Sequence, residues 1–239
     1  VAERSRVLRA FLVDTEVQPI GATAVDVMGW IADHEDTWSE STAATYHSYL
    51  AAWFKWLQVS DRRVDNPMVK VGTPRVPERD PRPLADSEVI VLLQARMKRR
   101  THAMILLALL AGLRVHEIAK VRGEDFDHAG RVLWVKGKGR KLKSVPLHPQ
   151  LAELASTMPA AGWWFPRYDL PAEHVHRKSV SDVIGRTMRR AGVRGTPHAL
   201  RHWCASTLLD DGADIRVVQE LLRHKSTATT QIYTAVPDH

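Results

Sequence analysis

The sequence predicts a mainly α-helical protein with one small antiparallel β-sheet, divided into two domains. Three observations carry that expectation. Apolar residues recur at three- and four-residue spacings along most of the chain, whereas one stretch, RVLWVKGKGRKLKSVPL, switches to alternation. Between Gly72 and Leu84 runs GTPRVPERDPRPL, with Pro74, Pro77, Pro81 and Pro83. Proline removes a backbone donor and disfavours helix in the residue before it, so this stretch reads as an extended, semi-rigid linker. The expected organisation is a helical domain at 1–72, a linker at 73–83 and a second domain at 84–239, with no internal repeat and no low-complexity tract.

In the first domain, RSRVLRAFLVD, AVDVMGWIADH and TAATYHSYLAAWFKWLQ each carry a helical apolar stripe. The third is expected to start with Ser41 as N-cap and to carry Leu50, Trp53, Phe54 and Leu57 as one stripe. Trp30, Trp38, Trp53 and Trp56 read as core or inter-helix packing. After the linker, SEVIVLLQARM and THAMILLALLAGL read as helices, the second ending near Gly112. Val132 to Val135 alternate, a GKG turn follows, and Leu142 to Val145 return, which is the pattern of a β-hairpin. SVSDVIGRTMRRAG, HALRHWCASTLLDDG and DIRVVQELLRH then read as three more helices.

Composition narrows the function. At 239 residues with 44% hydrophobic and 26% charged residues, the chain is an ordinary globular sequence. Its longest apolar stretch, AMILLALLAGL, falls short of the roughly 18 residues a membrane span needs, so no membrane partner is expected. The opening VAERSRVLRA carries charges where a secretory leader would be apolar. The single cysteine, Cys204, excludes an internal disulfide framework, and a reducing bacterial cytoplasm is the expected location. A formal charge of +7 favours a polyanionic partner. The surplus is uneven: residues 1–78 hold 8 basic and 11 acidic side chains, and the remainder 26 and 16.

Several residues are candidates for chemistry, and each alone has a plain structural reading. GLRVHEI places Arg114 and Glu117 one helical turn apart, as in many surface pairs. Lys136, Lys138, Arg140, Lys141 and Lys143 crowd the hairpin, as a solvated basic loop or as a finger on phosphates, which flanking glycines let approach closely. HALRH puts His198 and Arg201 at i and i+3 on a helix that begins at Pro197, where anions are favoured. A zinc reading through His198 and His202 fails, because the metalloprotease glutamate and a third ligand are missing. His224 suits a helix C-terminus, and Tyr233 between Ile232 and Thr234 suits half-buried packing. Together, however, two arginines, a lysine, two histidines and a tyrosine are the groups needed to cut a phosphodiester without metal or cofactor. Arginine holds phosphate oxygens in a fork, lysine protonates a leaving alkoxide, histidine takes a phenolic proton, and tyrosine attacks phosphorus.

In this order and spacing the residues resemble the tyrosine recombinases, the phage-integrase and Xer-type family of site-specific DNA recombinases. GLRVHEI is similar to the family's first-arginine box, giving Arg114 with Glu117 in support, and VKGKGRKLKSVPL to its lysine hairpin, giving Lys138. HALRHWCASTLLDDGADIRVVQELLRHKSTATTQIYT resembles the C-terminal signature almost end to end and supplies His198, Arg201, His224 and the nucleophile Tyr233. TAATYHSYLAAWFKWL followed by DNP resembles, more loosely, the helical (SAM-like) core-binding domain. Thr42, Thr45, Ser48, Lys55, Arg75, Lys136, Arg140 and Lys141 are the expected DNA contacts, and Arg62, Arg63 and Lys70 would extend the basic face of the first domain. Three positions depart from the usual pattern: Arg223 stands where a glycine precedes the histidine, Lys225 replaces a small residue, and His116 replaces a frequent serine.

The resemblance implies a core-binding and a catalytic domain closing as a C-shaped clamp on double-stranded DNA. It implies a 3′-phosphotyrosyl intermediate, strand exchange through a Holliday junction and no metal or cofactor. It further implies a homo-tetramer on two recombination sites, monomeric or dimeric without DNA, with a directionality factor as an optional partner. A separate arm-binding domain is not expected. Rival readings are a type IB topoisomerase, which shares the chemistry but relaxes DNA as a monomer; an idle DNA-binding protein on the same fold; and a metal-dependent hydrolase built on some of the 12 histidines.

Overall fold

Capping decides where several of the helices begin. In the computed structural model, which describes residues 2–74, 83–136 and 142–223, the chain divides into two units, Val1–Arg79 and Asp80–His239. The first unit holds α1 (Ala2–Thr15), α2 (Ala24–Ala32) and α3 (Glu40–Val59), then a short 3₁₀ turn, Pro67–Val69. Thr23 and Asp26 form a reciprocal capping box at the start of α2. The cap of α3 is Ser39 rather than Ser41: Ser39 is extended and its hydroxyl accepts the Thr42 N–H at 3.2 Å, whereas Ser41 is already helical.

The core of this unit is aromatic. Phe11, fully buried, meets Trp30, Trp53 and Phe54 edge-on, and Trp30 reaches Trp38. Trp56 does not join them. It is 53% exposed, because Leu50, Phe54 and Leu57 occupy the buried stripe of α3 and position 56 falls off it; Arg62 lies over its ring instead. Arg63 also leaves the expected basic face. Its side chain is 7% exposed and donates to Asp65 and to the Pro19 carbonyl.

The second unit holds α4 (Asp86–Gln94), α5 (Arg99–Leu110), α6 (Val115–Ile118), β1 (Phe126–Asp127), β2 (Val132–Lys136), β3 (Leu142–Pro146), α7 (Pro149–Ser156), α8 (Arg177–Arg190), α9 (Pro197–Asp210) and α10 (Ile215–Leu221). It is mostly helical with a three-stranded antiparallel sheet in the order β1-β2-β3, the fold class the sequence predicts. Leu133 pairs with Val145 and Trp134 with Ser144, which turns Leu133, Val135 and Val145 inward. The apolar run 103–109 is buried on every side, so α5 is the central helix and packs against α6, α7, α8 and α9. The short elements α6, β1 and α7 are additions to the sequence reading. α5 ends in a left-handed turn at Gly112 (φ +56°), and the Leu113 N–H returns to the Leu107 carbonyl at 3.1 Å. A β-carbon at Gly112 would meet Leu222 at 2.5 Å, so this turn and the end of α10 touch closely.

Candidate active site

The Gly112 turn delivers Arg114 and Glu117 to a point where three segments meet. Glu117 caps α6 by accepting the Arg114 backbone N–H at 2.8 Å. Its carboxylate also accepts the Arg114 guanidinium at 3.3 Å and that of Arg223 at 2.9 Å, with Arg201 at 3.9 Å. Glu117 is only 5% exposed. Burial alone would raise its carboxyl, but the charge and hydrogen bond of Arg223, followed by the backbone N–H and charge of Arg114, hold it below its ordinary value. The pair that could have been a surface contact is therefore the centre of a buried ionic cluster.

Arg201 is 1% exposed and is the largest fully buried side chain among the described residues. Its two terminal nitrogens donate to the carbonyls of Gly112 and Leu222. His198, one turn earlier on α9, stays more open to solvent, although both residues line the same cleft. That cleft, of ≈ 290 Å³, is walled by Arg114, His116, Ser181, Thr196, His198 and Arg201. Partial burial, then the charges of Arg201 and Arg114, push the His198 imidazole below its ordinary value, so it is neutral and able to accept a proton near pH 7. His116 is pushed the same way by burial and, in smaller part, by Arg114. Cys204 packs inside α9, and burial pushes its thiol up to about 11.

Of the sequence candidates, Arg114, Glu117, His198 and Arg201 are thus brought together. Lys136 is exposed at the end of β2, opposite Leu142. Thr45, Ser48 and Lys55 lie on one exposed face of α3 with Thr42 beside it. The Thr42 hydroxyl meets that of Ser39 at 2.8 Å, and the Thr45 hydroxyl donates to the Ser41 carbonyl at 2.8 Å. Arg75, Lys138, Arg140, Lys141, His224 and Tyr233 lie outside the described residues. Sequence reasoning missed two kinds of contributor. Ser181 and Thr196 reach the cleft only through the tertiary fold, and Arg223, noted as a departure, enters the ionic cluster directly.

Residues 84–239 match the phage integrase family. A tyrosine recombinase of Pseudothermotoga lettingae is 30% identical over 237 residues, spanning 95% of this chain and 83% of that relative. The tyrosine recombinase XerD of Proteus mirabilis is 32% identical over 259 residues, spanning 96% and 79%. Among solved structures, the integrase from mycobacterium phage Brujita is 45% identical with a TM-score of 0.61, covering 98% of this chain and 81% of that one. A λ integrase dimer bound to a COC′ core site shares the fold at 17% identity, with a TM-score of 0.76 and coverage of 97% and 86%.

Proposed function

Because the chain belongs to the phage integrase family of tyrosine recombinases, site-specific enzymes that break and rejoin DNA without a metal, we propose that it does so through the residues gathered around the cleft and the tail that follows them. Arg114 and Arg201, with His224, hold the non-bridging oxygens of the scissile phosphate and neutralise the charge that grows on them. A phosphate oxygen entering the cleft exchanges for the Leu222 carbonyl on Arg201. Tyr233 attacks phosphorus: the Oη–P bond forms, the bond from phosphorus to the 5′ oxygen breaks, and His198 takes the phenolic proton. Lys138 gives a proton to the departing 5′ oxygen. The bond energy is kept in the 3′-phosphotyrosyl ester, so a 5′-hydroxyl from a second duplex reverses the step. On this reading two rounds of exchange pass through a Holliday junction, with four subunits on two sites. The first unit lies on the duplex through α3, chiefly through Lys55 and Ser48.

The observation that supports this most is the Glu117 cluster beside His198. A carboxylate that is itself buried and neutralised fixes arginines next to a neutral imidazole in a cleft, which is how a phosphate site with a general base must be built. The test uses labelled, nicked duplexes drawn from the DNA around the gene, incubated with protein in EDTA and resolved on denaturing gels. Label should shift onto protein in EDTA and stay unshifted with Tyr233→Phe. Binding without any shifted band on every fragment would replace this mechanism with idle DNA binding.

A further inference from the structure

Arg223 sits where backbone geometry favours glycine. Its φ is +57°, the left-handed region that side chains rarely adopt, at the C-terminal end of α10. Arg131 adopts the same backbone region at φ +54° with its side chain exposed, whereas the Arg223 side chain does not stay in solvent. It folds back into the protein, 6% exposed, and donates to both Glu117 oxygens, at 3.3 Å from Nε and 2.9 Å from Nη2. It donates further to the Gly112 carbonyl at 3.2 Å and to the Leu221 carbonyl at 2.7 Å. Its own backbone carbonyl accepts from Arg114 at 3.3 Å. Arg223 therefore touches both Glu117 and the Gly112 carbonyl that Arg201 also uses, and it immediately precedes His224 in the chain.

We infer that Arg223 is a positioning residue for strand cleavage, a counter-ion that engages Glu117 in a fork, so that the carboxylate does not hold Arg114 and Arg201 back from phosphate. The inference rests on the proposed roles of those two arginines. Three guanidinium groups converge on one carboxylate, and an arginine fork holds a carboxylate in fixed geometry. Without the third, the buried carboxylate must be satisfied by the first two, and it draws them away from the substrate. Arg223 itself touches protein only.

The variant to make is Arg223→Gly, because glycine relieves the backbone at φ +57° while removing only the side chain. Single-turnover formation of the covalent complex and DNA affinity would be measured separately on a nicked duplex, with the thermal midpoint of each variant. We expect cleavage at saturating DNA to slow by roughly 10- to 100-fold, the scale of a small misplacement of catalytic groups, with affinity little changed. The midpoint falls, because a buried partner of Glu117 is removed, so rates are compared well below the midpoint of each variant. Arg223→Lys, which keeps charge but not the fork, should fall between. Glu117→Gln combined with Arg223→Gly should be no slower than the slower single variant, since the two residues act as a unit. Cleavage at the wild-type rate in Arg223→Gly, or losses that multiply in the double variant, would overturn the inference. If Arg223→Gly does not fold, Arg223→Lys decides: slow cleavage by a folded protein supports the inference, and wild-type cleavage ends it. A wild-type protein that forms no covalent complex would instead sink the cleavage mechanism itself.

Discussion

The two units bury opposite kinds of chemistry. In the first, the centre is Phe11 with Trp30 at 5.4 Å and Phe54 at 6.2 Å, ring edge to ring face, and the polar atom of Trp30 is turned to Asp14 at the rim. In the second, an apolar core surrounds α5, but beside it Glu117, Arg201 and Arg223 are buried as charges. The aromatic centre stabilises by area and shape, and its unit's candidate DNA contacts lie on an outer face of α3. The ionic cluster belongs both to the core and to the candidate site. Function is therefore separable from stability in the first unit and inseparable from it in the second.

Removing one arginine should produce the largest effect. Arg201→Ala leaves Glu117 with fewer counter-ions and removes a donor from the Gly112 and Leu222 carbonyls, of which Gly112 keeps Arg223, and breaking a buried pair costs about 3–5 kcal/mol. Urea denaturation should show that loss together with the disappearance of covalent complex. A second signature is the dependence on acid. The Glu117 carboxyl is held below its ordinary 4.5, so its contribution is complete above that pH and is lost as pH falls through the depressed value. Glu117→Gln should lose this part of the acid dependence. An Arg201→Ala protein as stable as wild type would mean that the cluster is not part of the core.

Phe11→Ala tests the other side. Deleting a fully buried phenyl ring costs about 3–5 kcal/mol. The loss of urea stability should be the same at every pH between 4 and 8 (about the range in which carboxylates titrate), because among the described residues no ionisable group pairs with the ring. A pH-dependent loss would break the contrast between the two centres.

The contrast also predicts how cleavage depends on pH. Burial, then Arg201 and Arg114, hold His198 below its ordinary 6.5, so the neutral base persists below that value. Single-turnover cleavage should stay level below pH 6.5 and then fall about tenfold for each further unit. His198→Gln should be slow throughout and lack that acid limb. A rate already falling at pH 7 would show that the imidazole is not held below its ordinary value.

How much of this was legible depended on the range of each interaction. Local patterns carried the helices and the hairpin: stripes at three and four, alternation at two, and a glycine at the end of α5. They failed where one or two residues decide, as at Ser39 against Ser41, or where an element is only eight residues long, as in α7. Arg114 and Glu117 were visible as a pair three apart, but not as a buried one. That depends on Arg223, 106 residues further along the chain, and no spacing encodes such a distance. The signal that existed was negative: an arginine at a position where glycine is usual.

The smallest effects should come from α3, and here the structure separates candidates that sequence alone treats alike. The Thr45 hydroxyl donates to the Ser41 carbonyl and offers a phosphate oxygen no free proton, whereas Lys55 is exposed on the same face. A phosphate contact needs a donor or a charge, and a lysine that neutralises one phosphate releases about one counter-ion. Lys55→Ala should therefore weaken binding across unrelated sequences and reduce the slope of log affinity against log salt by about 1. Thr45→Ala should leave both unchanged. Each substitution should alter urea stability by no more than about 0.5 kcal/mol, since neither side chain is part of the aromatic centre. If Thr45→Ala lowered affinity as much as Lys55→Ala, the hydroxyl must leave its own helix when DNA arrives, and this face would not be the rigid, separable surface that the aromatic core supports.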